Sequence, residues 1–327
     1  MTPTSLLPPK TDLHILFAHP AYQLQPLFDS YGSGIRTTQV TTREDLVDAL
    51  PGADVLVVSG LWRNDLLPLT SRLKYLQSIS SGTNHYDLEA IRDHGILLAS
   101  GQGVNRNAVS EHAFGLLLSL TRRLALARDH QAQRLWPGQP MGAAQREQEL
   151  PGKTMVVVGT GAIGDRIVRL AKAFDMKVIG VRRDPARGRG AADEVHGFRD
   201  LKSLIPAADV LVLSCPLTAE TRNIVDAEAL ALMKPEAYLI NVARGGCVDE
   251  PALIAALEAG RIAGAGLDVT ATEPLPGDSR LWSLPNVVLT AHRAGETQRY
   301  EANVLDILSR NLDLLWAGNA DLVNRIV

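Results

Sequence analysis

Three apolar runs in the second half of the chain end in side chains able to do charge or proton chemistry. Arg244 follows "AYLINVA", Asp268 and Glu273 stand in "GLDVTATEPLP", and His292 follows "NVVLTA". A guanidinium grips a carboxylate with parallel N–H donors, and its fixed charge stabilises a developing alkoxide. An imidazole passes a proton near neutral pH, and a carboxylate beside it favours the imidazolium. Taken singly, each residue reads as a surface or capping side chain. At the carboxyl ends of successive parallel strands, an Arg, a carboxylate and a His can instead converge on one crevice, where ligands of open α/β sheets bind.

A fourth segment points to what shares that crevice. In "VVVGTGAIGDRIVRLAKAF", Gly159, Gly161 and Gly164 form G-x-G-x-x-G directly after a strand pattern and before an amphipathic helix opened by Ala162 and Ile163. The first glycine permits the tight turn, the second lets a pyrophosphate approach the backbone, and the third lets helix and strand pack closely. Phosphates would rest on the free N–H groups of the helix N-terminus. About 20 residues on, such folds place an acid that accepts from the ribose hydroxyls; here "KVIGVRRDP" carries Arg182 and Arg183. An acid repels a 2′-phosphate and a guanidinium binds it, so the exchange points to NADP(H), with Arg187 and Arg189 adding field. The other reading is a solvated basic loop on a protein that uses NAD(H).

The elements that must position these residues alternate along the chain, as in parallel sheets wound by crossover helices. "LHILFA", "IRTTQV", "DVLVVS", "LQSIS" and "ILLAS" predict one small α/β domain. From Asn105 a long helical run reaches Arg134, and its apolar positions cover more than one face, which predicts burial on more than one side. A looser segment rich in Pro, Gly and Gln follows. "TMVVVG", "KVIGVR", "DVLVLS", "AYLINVA", "GAGLDV" and "NVVLTA" then predict a second α/β domain. A last helical run, Thr297 to Trp316, can pack back on the first domain, which gives residues 1–104 with 295–327 as one domain and 105–294 as the other.

Composition narrows the function classes. A chain of 327 residues with 46% hydrophobic and 21% charged residues is an ordinary globular protein of two-domain size. The formal charge of -3 offers no basic field for nucleic acid. No apolar run has the length of a membrane span, and the start "MTPTSLLPPK" reads as a short frayed end without an export signal. Cys215 and Cys247 have neither metal nor disulfide spacing, so no metal is expected and a reducing cytoplasm is the default.

Taken in order, "GTGAIG", "SCPLTAETR", "NVARGG", "LDVTATEPLP" and "AHRAG", with looser matches in "SSGTNHYDL" and "VNRNAVSEHAFGLLLSL", resemble the D-isomer-specific 2-hydroxyacid dehydrogenases over nearly the whole chain. The resemblance implies two Rossmann-like doubly wound parallel-sheet domains, a flavodoxin-like substrate domain and a dinucleotide-binding domain, with the active site in the cleft between them. It implies that Arg244 binds the carboxylate and keto oxygen of a small 2-keto acid, that His292 is the acid/base, and that Glu273 pairs with it. The N–H groups of Ser81, Gly82 and Thr83 would hold the other end of the carboxylate. Asp268 would face the nicotinamide amide, and Cys215, Pro216, Val242 and Ala243 would line that end of the cofactor, with Thr221 in the same segment. Cys215 also reads as an inert buried thiol. A dimer formed around the coenzyme domain is implied as well, and the apolar surface of the long helix agrees with it.

Departures from the family pattern carry information. Ala291 stands where many relatives have Pro before the His, Glu273 stands where formate-oxidising relatives have Gln, and no regulatory domain follows Val327, unlike the longer phosphoglycerate dehydrogenases. Arg293 faces either the substrate or water, and Trp136 either the substrate pocket or a helix end. The expected activity is NADPH-linked reduction of glyoxylate, hydroxypyruvate or a similar 2-keto acid. The alternatives are an NAD-linked oxidative dehydrogenase, or a nucleotide-sensing corepressor resembling the C-terminal-binding proteins, which carry acidic NAD-type positions and a long disordered tail.

Overall fold

The computed structural model describes residues 5–83, 85–138, 142 and 146–327. Met1–Thr4 of the frayed start and part of the loose segment, 139–141 and 143–145, lie outside the described residues. The chain divides into two compact units, Met1–Asn105 with Thr297–Val327, and Arg106–Glu296. Among the described residues no helix is long and apolar enough to cross a membrane.

The first unit is built on a parallel sheet of five strands in the order β2-β1-β3-β4-β5. The strands are β1 His14–Ala18, β2 Arg36–Val40, β3 Val55–Val58, β4 Tyr75–Ser78 and β5 Leu97–Ala99. β1, β3 and β4 are buried along their whole length; β3 accordingly reads as an unbroken apolar run, whereas β1 opens on the buried His14 and β4 closes on the buried Gln77 and Ser78. Successive side chains serve opposite faces. Ile15, Phe17, Val55 and Val57 pack beneath the helix Tyr300–Trp316, which supplies Val304, Leu305, Leu308, Leu312 and Leu315. Leu16, Leu56, Val58 and Leu76 build the opposite core with Trp62 and Tyr86. The C-terminal run therefore belongs to the first unit, beginning three residues later than its apolar period indicates.

The second unit holds a parallel sheet of seven strands in the order β12-β11-β10-β9-β6-β7-β8. Its strands are β6 Thr154–Val158, β7 Lys177–Val181, β8 Glu194–His196, β9 Val210–Leu213, β10 Tyr238–Asn241, β11 Gly264–Leu267 and β12 Val287–Leu289. β8 is a three-residue edge strand with a polar residue at each end, and nothing in its pattern announces it. The same alternation splits this core, with Val156 and Val158 on one face and Met155 and Val157 on the other.

The long helix expected from Asn105 to Arg134 is instead two helices, Arg106–Thr121 and Leu124–Ala132. The Thr121 hydroxyl donates to the Leu117 carbonyl at 3.0 Å, competing with the backbone ladder, and Arg123 turns left-handed at φ 51°. The first helix buries Val109, Ala113, Phe114, Leu116 and Leu117 in its unit, whereas the second buries nothing. Leu124 is 54% exposed and Leu126 46%, so expected burial on several sides fails for this segment.

Candidate active site

β10 delivers Arg244. Its last residue, Asn241, is buried, and the side chain shapes the turn that follows: Oδ1 accepts from the Ala243 N–H at 3.0 Å and Nδ2 donates to the Arg244 carbonyl at 3.1 Å. Arg244 emerges exposed, with Nη1 donating to the Ala243 carbonyl at 2.6 Å. A Cβ on the next residue, Gly245, would lie 1.9 Å from the Thr270 carbonyl oxygen. Only a glycine lets the Arg244 turn lie against the loop after β11, and that loop carries Glu273.

Glu273 and His292 form the pair that the sequence implies. Glu273 Oε1 accepts from the Thr270 N–H at 3.1 Å, and Oε2 lies 2.7 Å from His292 Nδ1. A carboxylate only accepts, so Nδ1 carries a proton and Nε2 is the nitrogen left for exchange with a ligand. His292 sits at φ 51°, a conformation costing a non-glycine residue about 1 kcal/mol. Its N–H offsets that cost by donating to the Asp268 carbonyl at 2.8 Å and the Thr290 carbonyl at 3.0 Å. A cavity of about 500 Å³ opens beside the pair, walled on its apolar side by Leu275, Trp282 and Leu289. Such walls weaken screening and strengthen the charge interactions formed against them.

Asp268 has structural partners of its own. It is buried, and both oxygens are committed to the loop after β12: Oδ1 accepts from Thr290 Oγ1 at 2.6 Å and the Arg293 N–H at 2.9 Å, and Oδ2 accepts from the Ala294 N–H at 3.0 Å. Its carboxylate clasps the segment that bears His292. The Arg293 side chain points to solvent within this unit.

β6 leads into the glycine turn. Gly159 has φ 96°, and a Cβ there would lie 2.6 Å from the Cys215 backbone; one on Gly164 would lie 1.9 Å from the Gly159 carbonyl oxygen. Around Gly161, by contrast, nothing lies within 4 Å of the Cβ position. The helix Ala162–Ala173 starts there without a side-chain cap, leaving the N–H groups of its first turn, including Ala162 and Ile163, to an external anion. A closely packed turn with one open glycine and an uncapped helix fits a pyrophosphate.

After β7, Arg182 is partly buried and its Nη1 donates to the Gly188 carbonyl at 3.3 Å. Arg183 is exposed and lies 3.6 Å from Glu220. The carboxylate of this stretch, Asp184, caps its own turn by accepting from the Ala186 N–H at 3.1 Å. Cys215, Val242 and Ala243 are buried. A hydrogen bond with Cys247, then burial, push the Cys215 thiol well above the usual thiol range. Thr221 does not present its side chain to a ligand: it is fully buried, its hydroxyl donates to the Pro216 carbonyl at 2.6 Å and accepts from the Thr218 N–H at 2.7 Å, and so it braces the turn. In the first unit, Ser81 and Gly82 are exposed at the carboxyl end of β4, with Thr83 partly covered.

Asn241 and Thr290 escaped the sequence reading. Each is a single polar residue closing an apolar strand run, and that position was the available signal. His112, also missed, lies on the helix Arg106–Thr121 with Nε2 2.8 Å from Thr290 Oγ1.

Comparison with known proteins gives this geometry a lineage. Residues 114–294 match the model of the D-isomer specific 2-hydroxyacid dehydrogenase NAD binding domain. The chain is 34% identical to a D-3-phosphoglycerate dehydrogenase of Synechocystis sp. over 83% of its own length and 48% of that protein, so it spans about half of that longer relative. It is 36% identical to a glyoxylate reductase of Pyrococcus furiosus, covering 87% of this chain and 86% of that one. A solved D-isomer specific 2-hydroxyacid dehydrogenase family protein from Aeromonas salmonicida superposes with a TM-score of 0.83 at 32% identity, over 97% of this chain and 99% of that one. Glycine turn, Arg-bearing loop and carboxylate–imidazole pair occur here within one contiguous match, and this chain belongs to the D-isomer-specific 2-hydroxyacid dehydrogenase family.

Proposed function

We propose that the chain reduces a small 2-keto acid, glyoxylate, hydroxypyruvate or a close analogue, to the D-2-hydroxy acid, with NADPH preferred over NADH. The observation that carries this reading is the 2.7 Å contact of His292 Nδ1 with Glu273, which leaves Nε2 as the proton-exchanging nitrogen. Likeness to a glyoxylate reductase over most of both chains supports the substrate class.

When bound, the dinucleotide supplies the hydride. The chain's own residues do the rest. Arg244 holds the substrate carboxylate and keto group and stabilises negative charge on the oxygen. His292 Nε2 delivers a proton to that oxygen, and Glu273 stabilises the imidazolium before the proton leaves and keeps the ring aimed. Gly161, Ala162 and Ile163 receive the pyrophosphate, while Val242, Ala243 and the Cys215–Pro216 backbone line the nicotinamide end. Arg182, with Arg183 beside it, receives the 2′-phosphate. Use of NAD(H) in the oxidative direction is the second reading, favoured by Arg183 being drawn toward Glu220. The working form is a homodimer using the exposed leucines of Leu124–Ala132, and the compartment is the cytoplasm, where both cysteines stay reduced.

A panel of 2-keto acids assayed with NADPH and NADH tests this reading. His292→Ala should lower kcat by about 10²-fold or more while NADPH still binds. Full activity in that variant would overturn the assignment of the acid/base.

A further inference from the structure

We infer that His112 is a positioning residue that holds the His292 loop in place through a directional hydrogen-bond relay; its bearing on turnover rests on the function proposed above. The relay begins with a hydroxyl that has one proton to give. Thr290 Oγ1 gives it to Asp268 Oδ1 at 2.6 Å, because a buried carboxylate already receiving the Arg293 and Ala294 N–H groups has none to offer. Toward His112 Nε2, 2.8 Å away, the hydroxyl therefore accepts, and Nε2 carries the proton. The order runs from His112 to Thr290 to Asp268.

The relay matters because of where it ends. Asp268 is 3% exposed, and His112 Nε2 itself lies 3.5 Å from its Oδ1. A carboxylate so buried needs all its donors, and losing one loosens the rest. Those donors are the residues on either side of His292, and the Asp268 carbonyl accepts from His292 itself at 2.8 Å. His292, held left-handed at φ 51°, depends on this clasp to keep its ring on Glu273. His112 comes from a different element, the helix Arg106–Thr121, so it references the loop to a packed helix rather than to its own neighbours.

His112→Leu removes the donor at similar volume, and His112→Gln places an amide N–H where Nε2 was. Amide hydrogen exchange of Arg293 and Ala294 reads the clasp without reference to activity. The Leu variant should exchange these two amides about fivefold to tenfold faster, and the Gln variant should restore them, on the scale of one hydrogen bond. With the preferred keto acid, kcat in the Leu variant should fall by a similar factor, with the KM for NADPH unchanged and the Gln variant recovering. A merely structural role would lower the unfolding midpoint without separating Gln from Leu or kcat from KM. Unchanged exchange in His112→Leu, or Gln exchanging as fast as Leu, overturns the relay. If the exchange responds as expected but wild type reduces no 2-keto acid, the relay stands and the functional proposal fails.

Discussion

Replacing both Arg182 and Arg183 by Ala tests the cofactor preference most directly. The two side chains do not weigh the same. Arg182 is partly buried at the end of β7, with its guanidinium steadied on the Gly188 carbonyl, so a contact with a 2′-phosphate would fall in the range of about 1.5–3 kcal/mol for a charge-assisted hydrogen bond. Arg183 is 69% exposed and partly engaged by Glu220 at 3.6 Å, so solvent screening limits it to about 0–1 kcal/mol. Together they predict at least about a tenfold rise in the NADPH KM, since about 1.4 kcal/mol is one decade. NADH, with no 2′-phosphate, should change little. Arg182→Asp should go further and invert the preference, by repelling the phosphate and offering an acceptor to a ribose hydroxyl. Wild-type preference should also weaken with salt, because an exposed pair is screened over roughly 10 Å at 0.1 M. Steady-state kinetics of wild type and both variants with each cofactor decide the matter. Wild type favouring NADH, or equal losses for both cofactors in the double variant, would refute the reasoning.

Further outcomes follow from the geometry. Gly161→Ala meets open space and should leave the unfolding midpoint unchanged while weakening NADPH in a fluorescence titration, whereas Gly164→Ala, whose Cβ would sit 1.9 Å from the Gly159 oxygen, should destabilise the protein measurably. Asp209 receives the Thr154 N–H and Lys234 at 2.8 Å each; burial opposes its charge, but these partners outweigh it and hold the carboxyl below its usual range. A depressed carboxyl stabilises the fold above its unfolded value and loses that stability as pH falls through the folded one. Asp209→Asn should therefore cost about 1 kcal/mol in urea at pH 7, with the gap to wild type closing in acid. Leu124→Glu with Leu126→Glu should leave a folded monomer in sedimentation experiments, because neither residue packs within its own unit; a dimer in that variant would remove this helix from the interface.

Much of the architecture was legible because parallel strands buried on both faces tend to be apolar runs, and all eleven expected strand segments became strands, including the polar, half-covered β2. β8 was not legible, since an edge strand of three residues buries too little to leave a pattern. The break at Arg122–Arg123 was hidden for a related reason: apolar periodicity continues through Leu124 and Leu126, and a sequence does not say whether an apolar face is covered by its own chain. Glu273 and His292 were legible as residue types at strand ends, but the different partners of the two carboxylates were not. Asp268 and Glu273 lie five residues apart on one loop. What separates them is burial and the partners each accepts from: one closes on backbone donors 25 and 26 residues away, the other on an imidazole.

That division explains how the fold tolerates a strained histidine at its working edge. Glu273 and His292 have side chains 37% and 48% exposed, and an exposed pair alone, worth about 0–1 kcal/mol, would not hold a ring in one orientation. Rigidity has to come from the layer beneath, where water does not compete. There the buried Asp268 carboxylate accepts from the Thr290 hydroxyl before His292 and from the Arg293 and Ala294 N–H groups after it, while nearer the surface Glu273 accepts from the Thr270 N–H and Glu250 from the Ala271 N–H at 2.7 Å. Apart from the Thr290 hydroxyl, these carboxylates receive main-chain donors, which the side chains at positions 291 and 293 do not supply. Ala291 and Arg293 can therefore vary without releasing His292, provided the backbone stays able to reach Asp268. The absence of proline at position 291 is tolerated on the same ground, because the clasp restrains the loop from the far side.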